Sequence, residues 1–270
     1  MRGRLVHVNV SHNKEIGTNV GNPALRGQIG KDTATPVGRK MRVTDSQKMG
    51  GVAALAGAAA TLLGLVVYAS VLAPQGLDSK ADPGQYVALL AGNQAAMRLW
   101  LQIIFLGFGV CVIFLSLALY ERLKAGSPVL AQAVTIFGLI YAVLVIVIGT
   151  LSINDLNTVV RLYGENPAQA ATVWLTLDSV ETGLGAGGGE TIVIGLWLLL
   201  LGWAALQARA LPRLLTYLGV VIGLAGILYV FTGSAGLLAV NGLRLIIWFA
   251  WLGMVMLRRG PVPAASRSTT

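Results

Sequence analysis

Five polar residues in the apolar part of this chain have the types and spacing to do chemistry. Glu190 begins a nearly pure apolar run, whereas Asn241 and Arg244 lie within another such run. Arg98 and Gln102 are one helical turn apart at the start of a third run, which places them on one face of a helix. A carboxylate and two guanidinium groups in an apolar setting indicate ion pairing or the binding of an anion.

The sequence shows no catalytic or metal-binding set. The two histidines, His7 and His12, lie in the polar N-terminal segment, and Cys111 is the single cysteine. Ser116 and Ser152 therefore have no histidine in the apolar region to act as a base. Zinc, iron–sulfur and bis-histidine haem sites also lack their ligands. We expect a protein that is not an enzyme and that uses no metal and no cofactor.

The composition indicates an integral membrane protein. Of 270 residues, 55% are hydrophobic and only 11% are charged, and the mean hydropathy is +0.73. Soluble domains carry about 25% charged residues. The net charge of +9 would suit a nucleic-acid partner, but membrane orientation explains the basic residues better. We therefore expect membrane lipids as partners and no nucleic acid.

The elements that must position the polar residues are transmembrane helices, each of which needs about 20 apolar residues. Six segments meet or approach this length, so the prediction is an all-α, polytopic bundle of six spans over residues 50–259. Residues 1–49 and 260–270 are predicted to be disordered cytoplasmic tails, and Met41 or Met49 is an alternative start. The six segments are Gly51–Ala73, Ala95–Tyr120, Val129–Ile153, Gly187–Leu206, Leu214–Phe231 and Ala235–Leu257.

The distribution of charge predicts the orientation of the bundle. If both ends lie in the cytoplasm, most of the 20 basic residues lie on the cytoplasmic side, as the positive-inside rule requires. Most of the acidic residues outside the tails then fall in the outer loops. Three of these acids could bind a cation there, although loop acids at this density are usually only solvated. The three are Asp155, Asp178 and Glu181.

Two outer loops contain signals for helix starts. Asp82-Pro83 and Asn166-Pro167 each combine an N-cap residue with a proline suited to the first helical position. We expect the first helix to run from Gly84 into the second span. The second is predicted to be an extracellular amphipathic helix before the fourth span, either lying on the membrane or capping the bundle. Its apolar stripe is Val173, Trp174, Leu177, Val180 and Leu184.

In this topology the five polar residues converge in the outer half of the membrane, on three helices. Glu190 is then the expected counter-charge of Arg244, of Arg98 or of both. The group could be structural, fixing how the helices align. It could instead form a net positive site for a lipid phosphate or a small anion. A third interpretation is that the side chains extend to water or to lipid headgroups.

Small residues predict close contacts between helices. Gly219 and Gly223 form a G-x-x-x-G pattern in the fifth span, and the first span is rich in alanine and glycine. Such faces more often pack within one bundle than between two copies, although they would also allow a homo-oligomer.

Three stretches resemble a bacterial family of six-span membrane proteins, that of domain of unknown function 4386. They are LLAGNQAAMRLWLQIIFLG, LALYERLKAGSPVLAQ and LLLLGWAALQARALPRLLTYLGVVIGLAGIL. The resemblance covers roughly residues 50–259 and implies a six-span bundle in a bacterial plasma membrane, with no activity attached. The positions that match the family's motifs are Asn93, Arg98, Leu119, Tyr120, Leu123, Lys124, Leu211, Pro212 and Arg213.

Two functions are compatible with these observations. The first is a non-enzymatic accessory or lipid-interacting membrane protein that carries an outward-facing Arg/Glu cluster. The alternative is a small transporter or channel for a small anion that uses the same cluster. Against transport, no inverted repeat and no pair of interrupted helices with acids at mid-depth is visible in the sequence.

Overall fold

Helices account for all the regular structure in the part of the chain that is described. The structure is a computed structural model and describes residues 36–72, 74, 82–185, 187–233 and 235–258, without the side chains of 36–44, 71–72 and 235–242. Short π-helical segments, Tyr68–Leu72 and Gln102–Gly107, follow the first and third helices. The helices are α1 (Pro36–Val67), α2 (Pro83–Gly92), α3 (Gln94–Leu101), α4 (Phe108–Leu123), α5 (Pro128–Glu165), α6 (Pro167–Leu184), α7 (Gly189–Ala208), α8 (Arg213–Thr232) and α9 (Ala235–Arg258).

The lengths and composition of these helices are those of a multi-pass membrane protein. Five segments of the described chain are long and apolar enough to cross a membrane. Helix α9, with 24 residues, coincides with the sixth predicted segment to within one residue. The five segments are Asp45–Ser70, Gln94–Leu123, Pro128–Glu165, Pro167–Ala208 and Arg213–Thr232.

Local sequence signals set two of the helix starts, as predicted. The Asp82 carboxylate accepts a hydrogen bond from the backbone N–H of Gln85 at 3.1 Å, and proline follows at the first helical position. The Asn166 side chain accepts from the backbone N–H of Gln169 at 3.2 Å in the same way. Each side chain satisfies one of the amide groups that a helix start leaves without a partner.

Helix α1 begins at Pro36, within the segment that the sequence assigned to the N-terminal tail. Gln47 of this helix is only 2% exposed, so the helix is already packed against the bundle at this residue.

Two helices differ in length from the predicted segments, and both differences occur where α2, α5 and α6 pack together. Helix α5 continues beyond Ile153 to Glu165 as one helix of 38 residues. Its additional turns are stabilised by packing, because Val159 is buried together with Val87 of α2 and Ala170 of α6. The helix expected to run unbroken from Gly84 is interrupted at Asn93, whose side chain donates back to the carbonyl of Leu89 at 3.0 Å.

The predicted amphipathic helix, α6, packs on α5 and α2 through part of its apolar stripe. Tyr86 of α2 stacks on Trp174 with ring centroids 4.7 Å apart. Val173 and Leu177 pack against the buried side chains named above on α2, α5 and α6. Val180 and Leu184, by contrast, are exposed. The helix therefore covers the end of α5.

Glycines bring the membrane helices into close contact. A Cβ atom on Gly195 of α7 would lie 2.9 Å from the carbonyl oxygen of Gly223 in α8, and one on Gly223 would lie 2.7 Å from that of Gly195. Gly219, the other glycine of the predicted pattern, lies against the Trp248 indole of α9. The small residues of α8 therefore serve contacts within the bundle, as expected where helices pack by van der Waals contact in lipid.

Candidate functional site

Glu190 is half-buried in the bundle and lies beside a tyrosine. The residue is in the first turn of α7, and its carboxylate faces the hydroxyl group of Tyr141 on α5. Tyr141 is itself only 2% exposed. The phenol O–H is a suitable hydrogen-bond donor to this carboxylate.

Glu190 and Tyr141 line a cavity of about 420 Å³, to which Thr61 and Tyr68 also contribute hydroxyl groups. The rest of the wall comes from α1 and α3 with the π-helical segments that follow them, from α4 and α5, and from the middle of α9. We call this space the Glu190 cavity. Leu65 of α1 and Leu243 of α9 line it and are also 44% and 52% exposed, so the cavity opens between these two helices.

Aromatic rings form much of the cavity wall. Tyr141 is held between Phe108, in an edge contact with centroids 6.3 Å apart, and Trp197, in a stacked contact at 6.1 Å. The Trp100 indole N–H donates to the carbonyl of Gly64 at 3.1 Å, which fixes that ring in the wall. The aromatic lining residues are Tyr68, Trp100, Phe105, Phe108 and Tyr141.

The structure places Arg98 and Gln102 away from Glu190, at a separate groove. Arg98 donates a short hydrogen bond to Asn157 of α5, and its side chain is exposed. Gln102 is also exposed and lines the same groove, which measures about 290 Å³. We call this feature the Arg98 groove. The sequence predicted that Arg98, Gln102 and Glu190 would form one cluster, and this prediction was wrong. Trp100 and Ile104 face the Glu190 cavity, whereas Arg98 and Gln102 lie on the other side of the same helix.

Arg244 does not reach Glu190 either. Its side chain is exposed, although its neighbours Leu243 and Leu245 line the cavity. Among the described residues the ion pairs are Lys124–Glu121 and Arg161–Glu165, and neither involves Glu190. The Asn241 side chain, the fifth member of the expected cluster, lies outside the described residues.

The three acids considered for a cation come near one another but form no metal site within the described chain. Glu181 lies beside Ser152 and Asp155, and its Oε1 atom is buried without a hydrogen-bond partner. No group of three or more histidine, cysteine or acidic residues there is arranged to hold a metal ion. Burial, with smaller contributions from Asp178 and Glu181, raises the pKa of nearby Tyr86 to about 12.

A buried arginine at the opposite end of α4 was not singled out from the sequence. Arg122 is 4% exposed and donates to the carbonyl of Ala210 at 3.0 Å and to the side-chain oxygen of Gln47 at 2.9 Å. Gln47 in turn donates to the carbonyl of Ala118 at 2.9 Å. This network joins α1, α4 and the connection between α7 and α8. In the sequence, this network is indicated only by the arginine inside the Leu-Tyr-x-x-Leu-Lys stretch, which resembles a motif of the family.

Comparison with known proteins assigns a family and nothing further. Residues 49–260 match the family described as Domain of unknown function (DUF4386), which is well over half of the chain. The chain belongs to this family. No curated protein and no solved structure matches it significantly. The DUF4386 match includes every residue that lines the Glu190 cavity and the Arg98 groove.

Proposed function

We propose that this DUF4386 protein is a non-enzymatic, lipid-interacting membrane protein that binds one amphiphilic cation in the Glu190 cavity. In this proposal the protein crosses a bacterial plasma membrane six times, with both ends in the cytoplasm. The distribution of basic residues and the family resemblance support this topology. The observation that carries the proposed function is a carboxylate in the wall of a largely aromatic and apolar cavity, with no basic residue among the described residues that line it.

The carboxylate favours a ligand with a positive charge. An ionised group in apolar surroundings is costly unless it is paired. The phenol of Tyr141 lies beside Glu190, and neither Arg98 nor Arg244 forms an ion pair with it among the described contacts. A ligand ammonium group would supply the missing charge. A ligand carboxylate or phosphate would be repelled from the same position.

The aromatic lining favours the same class of ligand. Ammonium groups are attracted to the faces of tryptophan, tyrosine and phenylalanine rings within about 6 Å of the centroid, and five such residues line the cavity. The rest of the wall is mostly aliphatic, and a volume of about 420 Å³ is within the range of small-molecule sites. A cationic head near Glu190 and an apolar tail toward Leu65 and Leu243 would satisfy both parts of the cavity.

Thermal unfolding of the detergent-purified full chain tests this function with three probes that share one tail: octylamine, octanol and octanoate. We expect octylamine to raise the melting temperature most and octanoate least. At a concentration of about 100 times Kd, a ligand stabilises the folded state by about 2.7 kcal/mol. Glu190→Gln should abolish the advantage of octylamine over octanol, because it removes the charge and keeps the shape.

Two further variants make the test specific. Glu165→Gln removes an equal charge from an exposed site on α5 and should respond as the unaltered protein does. Leu65→Trp should block the mouth of the cavity and weaken binding of octylamine without touching Glu190. Equal shifts with all three probes, or an octylamine response that survives Glu190→Gln, would show that the cavity does not select a cation.

A further inference from the structure

We infer that the Arg98 groove binds the phosphate group of an anionic membrane lipid. The groove is lined by Gln94, Ala95, Arg98, Leu99 and Gln102. It lies apart from the Glu190 cavity and would take a ligand of the opposite charge. The inference therefore stands independently of the proposed function.

Three polar side chains form one donor-bearing face of this groove. Gln94, Arg98 and Gln102 follow one another at intervals of about one helical turn, so they align along one side of α3 and the π-helical segment after it. Turns of π-helix occur frequently at functional sites, and the segment here begins at Gln102. The irregular backbone and the polar face therefore coincide.

Asn157 holds the arginine while leaving part of it available to a ligand. Its side-chain oxygen accepts from Arg98 Nη2 and, at 3.3 Å, from Gln94 Nε2. The other guanidinium N–H groups of Arg98 make no hydrogen bond to a described residue, and neither does the Gln102 amide. Guanidinium groups bind phosphate oxygens through two parallel hydrogen bonds. Arg98 is thus positioned from one side and open on the other.

The charge of the groove is net positive. Its lining includes one arginine and no acidic residue. Arg161 lies one helical turn beyond Asn157 on α5 and is paired with Glu165 at 3.5 Å, so that acid is already engaged outside the groove. A phosphate at Arg98 would meet no carboxylate among the lining residues.

The apolar surroundings favour a lipid phosphate over a free phosphate ion. Leu99, beside Arg98, is 58% exposed, and both belong to a segment apolar enough to cross a membrane. A phosphate that carries acyl chains would contact both residues, because its chains cover Leu99 while its oxygens meet Arg98. Basic pockets between membrane helices bind anionic lipid headgroups on the same principle.

Native mass spectrometry of the full chain can measure this binding directly. The probes are dioleoyl phosphatidylglycerol, dioleoyl phosphatidylcholine and inorganic phosphate, each titrated into the detergent-purified protein. We expect the phosphatidylglycerol to bind most tightly, because the choline cation is repelled by Arg98 and the free ion lacks acyl chains. Arg98→Gln should weaken phosphatidylglycerol binding roughly tenfold or more, since it removes a charge-assisted contact.

Two more variants separate the groove from general charge and from folding. Gln102→Glu keeps the Arg98–Asn157 contact but adds a negative charge, and should weaken phosphatidylglycerol binding to a similar extent. Arg213→Gln removes an exposed positive charge elsewhere and should bind as the unaltered protein does. Phosphatidylglycerol binding that is unchanged in both groove variants, or no tighter than phosphatidylcholine binding, would overturn the inference. Tight binding of inorganic phosphate alone would identify a free-anion site instead and would also overturn it.

Discussion

Replacing Trp197 with alanine is expected to lower the free energy of unfolding by about 3–5 kcal/mol, the usual range for truncating a buried tryptophan. The Trp197 side chain of α7 has no exposed surface. Its ring lies 6.1 Å from that of Tyr141, 6.2 Å from Trp248 and 6.4 Å from Phe249, measured between centroids. Alanine would leave a space among three rings that cannot close it without moving their own helices.

The same helix provides a matched control. Trp203 is two turns further along α7 and 56% exposed, so Trp203→Ala should change stability by about 0.5 kcal/mol or less. Denaturant titration in detergent micelles compares the two variants. Trp197→Ala should also weaken octylamine binding, because Trp197 supports the Tyr141 ring in the wall of the Glu190 cavity. Similar losses of stability for the two tryptophans would contradict the packing described above.

Replacing Arg122 with methionine is expected to cost about 2–4 kcal/mol of stability. The carbonyl of Ala210 and the side-chain oxygen of Gln47 would each lose a donor in a buried position. A buried acceptor left without a partner costs about 1–3 kcal/mol. Methionine keeps most of the length of the side chain, so the loss reports the hydrogen bonds more than the packing.

Hydrogen exchange can locate the effect of Arg122→Met as well as measure it. Gln47 joins the network from α1, so the amides around Gln47 should exchange faster in the variant. Arg213→Met, at an exposed position that starts α8, should alter neither exchange near Gln47 nor stability. An Arg122→Met variant that behaves like Arg213→Met would show that the network contributes nothing to the fold.

Much of this fold follows from local features of the sequence. Helices α7 and α8 begin and end within two residues of the predicted segments, because apolar runs of this length are bounded by glycine, proline and charge. The two N-caps, Asp82 and Asn166, were also predicted from the identity of a residue and the proline after it.

The extension of α5 could not be read from the same signals. The turns after Ile153 contain Asn154, Asp155 and Asn157, and such residues are typical of a loop beyond a membrane segment. They are helical because α2 and α6 bury Leu156, Val159 and their neighbours. Packing between segments distant in sequence, rather than local propensity, therefore sets the length of this helix.

The sequence drew attention to two charged residues of the candidate sites but did not predict their surroundings. Glu190 and Arg98 were both singled out, since charged residues in apolar segments are costly and usually have a role. Position along a helix gives approximate depth, but it does not tell which neighbour a side chain faces. The structure places Glu190 beside Tyr141 and pairs Arg98 with Asn157. Neither partner carries a charge, so neither was found by searching for opposite charges.

The most direct test of the central claim, that an amphiphilic cation occupies the Glu190 cavity, is photo-crosslinking with a long-chain amine that carries a diazirine in its tail. The amine is added to the full-length protein in lipid nanodiscs, and labelled peptides are identified by mass spectrometry. We predict labels in residues 61–68, 100–108 and 243–246, the three stretches that contribute most of the tail-facing wall, with strong reduction in Glu190→Gln and in Leu65→Trp. Labels spread equally over exposed apolar positions remote from the cavity, such as Leu214 and Phe231, and unchanged in both variants, would contradict the account.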